Sequence, residues 1–284
     1  MKKILYIMLV CLVCSSCHLD IHDYLAPEAG VKTYSYTTET LLAKRGSLTI
    51  YGVLYRPIGV EGPRPVVILS HGFNGSHKNG EDYAEAFAQL GYICYSFDFC
   101  GAGCRSKSDG KTTDMSLLTE RADLEAVIDC LCEREDVDPS RISLAGDSQG
   151  GMVTALTAAH IPDRIESILL FYPALCIVDD AHRLWGTYEN IPATSKRGTV
   201  TLGAVYYKDC WNIDVYSEIA KYKGPVLLVH GDKDEVVDLS YSERAAEVYE
   251  DATFHIIHGG KHGFHGSARK QSLNYAIQFM SSRI

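Results

Sequence analysis

Down the chain from residue 31, apolar positions fall into two alternating rhythms. Six short continuous runs are rich in β-branched residues: PVVILSHG (65–72), YICYSFD (92–98), ISLAGDS (142–148), SILLFYP (167–173), PVLLVHG (225–231) and TFHIIHG (253–259). Each ends at Gly, Pro, Asp or Ser, and runs of this kind predict strands covered on both faces. Between them lie segments whose apolar residues recur near a 3.6-residue period: GEDYAEAFAQLG, LLTERADLEAVIDCLCERE, GMVTALTAAH, SYSERAAEVYED and SARKQSLNYAIQFM. In the second, Leu117, Leu118, Ala122, Leu124, Val127, Ile128 and Leu131 predict the buried face of a helix. Ahead of the first run, YSYTTETL and LTIYGVLYRP alternate polar and apolar, as an antiparallel pair at a sheet edge does.

Strands alternating with helices predict an α/β architecture, a mostly parallel sheet with helices on both faces. Ligands of such sheets bind beyond the carboxyl ends of the strands, so chemistry is expected in the loops after the six runs. Residues 174–216 break the rhythm. They hold Trp185, Trp211 and several tyrosines without a clear strand, and read as a small cap inserted into one domain spanning 18–284.

Charge narrows the partners. The 284 residues carry a formal charge of −9 with no basic run in the body of the chain, which argues against nucleic acid. The first 17 residues stand apart as a signal peptide: Lys2 and Lys3, an apolar stretch from Ile4 to Val13, then Ser15-Ser16-Cys17. That stretch is too short for a membrane span, which needs about 20 residues. Its exit resembles a bacterial lipobox, in which Cys17 becomes the lipid attachment point. The expected location is therefore outside the cytoplasm, in a bacterial periplasm or held to a membrane through that anchor alone. Of ten cysteines, Cys11, Cys14 and Cys17 belong to the signal. The rest are Cys94, Cys100, Cys104, Cys130, Cys132, Cys176 and Cys210. An odd number without C-x-x-C spacing is neither a disulfide framework nor a zinc site. These cysteines read as small buried hydrophobes, with a local Cys100–Cys104 bridge left open in an oxidising compartment.

The strongest chemical signal is G-x-S-x-G at Gly146, Ser148 and Gly150, between an apolar run and a helical one. This is the strand–turn–helix setting of a nucleophile elbow. A serine hydroxyl attacks well only when a base takes its proton, and the expected chain order is Ser, acid, His. After PVLLVHG comes DKDEVVD, which offers Asp232, Asp234 and Asp238. Asp234 is favoured because it lies far enough round the turn to face the next loop, whereas Asp232 suits local turn stabilisation. After TFHIIHG comes GKHGFHG, with His262 as the expected base, His258 at the strand end and His265 on the surface. The spacing of these three histidines lacks a supporting carboxylate motif, so neither metal nor cofactor is expected. For the oxyanion, the backbone N–H of Gln149 and that of Phe73, in SHGFNG (70–75), are the expected donors.

With these motifs the chain resembles the α/β-hydrolase superfamily over nearly all of the mature sequence. In HGF (71–73), SFDFCGAGCRSKSDG (96–110), GDSQGG (146–151), HGDKDEVV (230–237) and GGKHGF (259–264) it is similar to the bacterial cinnamoyl (feruloyl) esterases. The resemblance implies the α/β-hydrolase fold and hydrolysis of hydroxycinnamic esters, often on plant-wall xylan. It also implies cap groups that meet the phenol end of the substrate, aligned by position with Asp180 and Tyr206. Thr187 falls where some relatives present a Gln, and Cys100 and Cys104 depart from the usual loop residues. The expectation is a serine carboxylic-ester hydrolase acting through an acyl-enzyme, on a small-molecule or acylated-carbohydrate ester. Its rivals are a serine peptidase of the prolyl-oligopeptidase type and a non-catalytic surface lipoprotein.

Overall fold

Polar–apolar alternation folds the first segment as expected: β1 (Tyr36–Arg45) and β2 (Leu48–Pro57) pair antiparallel, and β1 is an edge strand. The structure is a computed structural model that describes residues 32–284 together with Leu19 and Ile21. The signal peptide and lipobox, Cys17 included, lie outside the described residues.

The apolar runs follow as β3 (Arg64–Ser70), β4 (Ile93–Phe97), β5 (Val137–Asp147) and β6 (Ser167–Phe171). After two short strands of the insertion, β7 (Thr194–Arg197) and β8 (Val200–Gly203), come β9 (Val226–Gly231) and β10 (Ala252–Ile257). The helices are α1 (Glu81–Leu90), α2 (Leu117–Cys132), α3 (Ser148–His160), α4 (Ile177–Trp185), α5 (Val205–Lys208), α6 (Val215–Ile219), α7 (Ser240–Val248) and α8 (Ser267–Ser281).

Eight strands form one sheet in the order β1-β2-β4-β3-β5-β6-β9-β10, parallel from β4 to β10. Side chains on a strand alternate between faces, and the two cores show it. Val66, Ile68, Ile168, Leu170, Val226 and Leu228 pack on one face with Leu124, Val127 and Ile128 of α2 and Met152 of α3. Val67, Leu69, Leu169, Phe171, Leu227 and Val229 pack on the other with Phe87 of α1 and Leu273 and Ile277 of α8. Full burial of each such side chain contributes about 1.5–3 kcal/mol.

Three expectations need correction. β10 is an edge strand and mostly half-buried, because among the described residues no strand pairs with its outer side. On α2, Leu118 and Ala122 are only half-buried; the inner face instead carries Glu120 and Asp123, with Asp123 satisfied by Arg45 at 2.5 Å and by the Cys100 N–H at 2.8 Å. The insertion does contain strands: β7 and β8 form a two-stranded antiparallel hairpin across Gly198, whose φ of 60° suits a tight turn. Four-residue strands that are mostly polar carry too little apolar signal to be read as such. The cysteines from Cys94 onward are all free, so Cys100 (buried) and Cys104 (exposed) are not bridged.

Topology sets the site. Strand β4 lies on one side of β3 and β5 on the other, so the winding reverses at the β3/β5 crevice, where open α/β sheets bind ligands. Register aligns Ser70 with Gly146, Gly146 with Leu170, and Phe171 with Val229. The loops after β3, β5, β6 and β9 therefore leave from one edge.

Candidate active site

Ser148 ends the β5 turn and begins α3 with φ of 51°, left-handed backbone rarely adopted outside glycine. Such a conformation costs about 1–3 kcal/mol and persists only where the surroundings enforce it. Here they do: a Cβ on Gly150 would strike the carbonyl oxygens of Ser70 and His71, so glycine is required for the elbow to sit against the β3 loop. The turn lifts the serine hydroxyl out of the sheet edge.

The expected partners meet it. His262 Nε2 lies 3.0 Å from Ser148 Oγ, and His262 Nδ1 lies 2.7 Å from Asp234 Oδ2. Asp234 faces only acceptor-seeking groups, so Nδ1 carries the ring proton and Nε2 is free to accept the serine proton. The Asp234 side chain is fully buried. Burial pushes its carboxyl up, but hydrogen bonds from His230, His262 and the N–H groups of Val237 and Val236 outweigh that and hold it well below the usual range. It is ionised at any working pH. Asp232, as expected, serves its turn, accepting from the Gly259 N–H at 2.7 Å and facing His258 Nδ1 at 3.0 Å. His258 is exposed and not a core residue; His265 is on the surface.

The two N–H groups expected to serve an oxyanion come from different elements. Gln149 N–H lies in the first turn of α3, where helix N–H groups lack intrahelical acceptors. Phe73 N–H makes no backbone hydrogen bond among the described residues. Its direction is set by His71, a residue whose role the sequence did not disclose. Burial lowers the His71 pKa, so the ring is neutral. Its Nε2 accepts from the Phe99 N–H at 3.1 Å, and Nδ1 then donates to the Gly72 carbonyl at 2.8 Å. Because a trans peptide points its C=O and N–H in opposite directions, pinning Gly72 O turns Phe73 N–H the other way.

The residues assigned to the phenol end part company. Asp180 lines a cleft of about 330 Å³ beside Asp234, together with Cys176, Arg183, Glu235 and Tyr241, and is paired with Arg183 at 2.7 Å. Tyr206 is fully buried, and its hydroxyl donates to Gln149 Oε1 at 2.6 Å. A buried phenol needs an acceptor, and this one has found it in the protein, so its hydroxyl is not presented to substrate. Gln149 Nε2 in turn donates to Glu120 Oε2 at 2.8 Å. Burial pushes Glu120 up to about 8. Among the described residues no group of three or more His, Cys, Asp or Glu is placed to hold a metal ion.

The geometry has counterparts among known proteins. The family described as serine aminopeptidase, S33, matches residues 61–197, which take in the Phe73 loop and Ser148. Est1E from Butyrivibrio proteoclasticus, in a structure with ferulic acid bound, superposes with a TM-score of 0.79 at 27% identity, covering 86% of this chain and 98% of Est1E. The chain has the α/β-hydrolase fold. Its sheet, elbow and loop order are those of this fold, it resembles bacterial feruloyl esterases, and it is a serine hydrolase of the α/β-hydrolase type. Two further relatives cover less of the chain. A putative hydrolase of Bacillus subtilis, YtaP, is 28% identical over 170 residues, 50% of this chain and 55% of YtaP. An uncharacterized protein of Mycobacterium tuberculosis is 26% identical over 212 residues, 74% of this chain and 67% of that protein.

Two more residues of the hydrolase site went unread in the sequence. Tyr172, with φ of 37°, sets its ring edge-on to His262 at 4.9 Å and so limits how far the imidazole swings. His230 Nε2 lies 3.2 Å from the same Asp234 oxygen that receives His262. The strand-end HG at 230–231 was the available signal, but it was spent on placing the acid.

Proposed function

We propose that this hydrolase cleaves carboxylic esters through an acyl-enzyme, with small hydroxycinnamoyl-type acyl groups as its substrate class. The observation that carries the reading is the unbroken relay of Ser148, His262 and Asp234 at 3.0 and 2.7 Å. His262 takes the Ser148 proton as Oγ attacks the ester carbonyl, and the N–H groups of Phe73 and Gln149 hold the oxyanion. The protonated imidazole, stabilised by Asp234, returns its proton to the departing alcohol. Water, deprotonated by His262, then releases the acid.

Support for a hydroxycinnamoyl acyl group comes from the likeness to Est1E with its bound ferulic acid and from Asp180 in the cleft beside Asp234. Hydrolysis of methyl ferulate by wild type, lost in Ser148→Ala with the fold intact, is the expected result. Retained turnover in that variant sinks the mechanism; turnover of short aryl esters without methyl ferulate sinks the acyl class alone.

A second reading follows from the match to serine aminopeptidases: the same relay acting on an amide with a free amino terminus. Aminoacyl 4-nitroanilides separate the two. We further propose export with a lipid on Cys17, read from Lys2, Lys3, the apolar stretch and Ser15-Ser16-Cys17; palmitate incorporation lost in Cys17→Ser checks it.

A further inference from the structure

Arg197 ends β7 and leans over the oxyanion loop, its guanidinium carbon 5.0 Å from the centre of the Phe73 ring. One Nη1–H is used on the Tyr206 hydroxyl at 3.2 Å. The side chain is half-buried, yet among the described residues it has no ion-pair partner within 4.0 Å. The hydrogen-bond chain that starts at Arg197 runs through Tyr206 and Gln149 and ends on Glu120. That carboxyl, pushed up to about 8 by burial, is largely uncharged at neutral pH and does not cancel the guanidinium from within.

A partly desolvated cation with an aromatic face and a hydroxyl but no counter-ion is incompletely satisfied, and the planar guanidinium fork matches the two oxygens of a carboxylate. The cleft on the acid-loop side has the opposite character. Asp180, Glu235 and Asp238 line it, and its one cation, Arg183, is already paired with Asp180. An anionic substituent is repelled there and attracted at the Phe73 side.

We propose that Arg197 is a specificity-determining residue that receives a carboxylate carried by the ester substrate, beside the Phe73 edge of the oxyanion hole. The proposal rests on the ester-hydrolase reading above and narrows its substrate to acidic esters. The carboxylate sits either on the acyl group or on the alcohol, as in a uronic acid, and two matched pairs of esters tell these apart. For the acyl side, methyl 4-carboxycinnamate is compared with methyl 4-carbamoylcinnamate, cleaved at the propenoate ester. For the alcohol side, 4-carboxyphenyl cinnamate is compared with 4-carbamoylphenyl cinnamate.

Wild type is expected to prefer the acid in one pair by about tenfold or more in kcat/KM, the worth of a charged hydrogen bond. That preference should shrink as salt rises to 1 M, because the pair is partly exposed. Arg197→Gln should abolish the preference while leaving the carbamoyl esters within about twofold, which also reports an intact fold. Arg197→Lys should keep part of it. No preference in either pair, a preference insensitive to salt, or equal losses on acid and amide in the Gln variant overturns the assignment. Cleavage of none of the four esters by wild type, or their continued cleavage by Ser148→Ala, overturns the ester-hydrolase reading and this one with it.

Discussion

His230 stands behind Asp234 as a second imidazole on the carboxylate that also holds His262, Nε2 to Oδ2 3.2 Å, with the His230 and Asp234 side chains fully buried. Its Nε2 also faces the Val237 carbonyl at 3.1 Å, and Nδ1 meets Ser242 Oγ at 2.7 Å. With two acceptors before it, Nε2 carries the proton, and Ser242 donates to Nδ1. The arrangement fixes the acid so that its other hydrogen bond points at His262. His230→Phe should lower kcat about tenfold or more on an aryl ester, with KM within about twofold, since a hydrogen bond to a charged group contributes about 1.5–3 kcal/mol. His230→Gln, which retains a donor, should recover part of the loss. A Phe variant with wild-type kcat would show that His230 only fills space.

Tyr206 and Asp180 should now behave differently. Tyr206→Phe breaks the link from the insertion to Gln149, at a cost of about 0.5–1.5 kcal/mol for a neutral hydrogen bond. Its kcat should drop a few-fold to the same extent on methyl ferulate and methyl cinnamate. Asp180→Asn should act on methyl ferulate alone, because only that ester carries a phenol. A Tyr206→Phe loss confined to the phenolic ester would return Tyr206 to the substrate.

Glu120 predicts a pH dependence of stability. Burial lifts its carboxyl from 4.5 to about 8 in the fold. Between those values the unfolded chain releases a proton that the native state keeps, so the native state binds more protons and stability falls as pH rises. The loss at pH 8 is on the order of 4 kcal/mol. Glu120→Gln removes it, so its melting temperature should exceed that of wild type by a margin that grows from pH 5 to pH 8. A margin independent of pH would mean that Glu120 is ionised in the fold. Asp234 has the opposite sign: its depressed carboxyl stabilises the fold above about pH 4 and loses that contribution as the medium becomes more acid.

The elbow strain can be read from two inactive variants. Left-handed backbone costs a non-glycine residue roughly 1–2 kcal/mol, and glycine's freedom in the unfolded chain offsets about 0.5–1 of that. Ser148→Gly should therefore unfold at or above the denaturant midpoint of Ser148→Ala, by up to about 1 kcal/mol. A clearly less stable glycine variant would mean that the φ of 51° is not strained.

The parallel sheet was legible because β3, β5, β6 and β9 are buried on both faces and so appear as unbroken apolar runs. Ser148, Asp234 and His262 were legible because the register places their loops on one edge in a known order. The hairpin β7/β8 was not, since β7 is polar and half exposed and β8 is only four residues long. Nor were His71, His230 and Tyr172: each acts through one contact with a residue distant in sequence or through one backbone carbonyl, and residue type alone does not announce such contacts. Tyr206 was placed near the site correctly in position but with the wrong partner, because whether a phenol faces substrate or protein depends on packing.

Strands β6 and β9 pair directly in the sheet, although the whole insertion from α4 to α6 lies between them in the chain. Strand pairing thus closes beneath that segment, although Ile177, Leu202, Tyr206 and Cys210 within it are buried in the core. Replacing residues 174–216 by a loop of another length costs little in closure entropy, about 0.6 kcal/mol per doubling, and leaves the relay's strands in register. The fold in this respect is a socket: Ser148, Asp234 and His262 stay on the sheet edge, and the segment that carries Asp180 and Arg197 is an insert between two strands already paired without it.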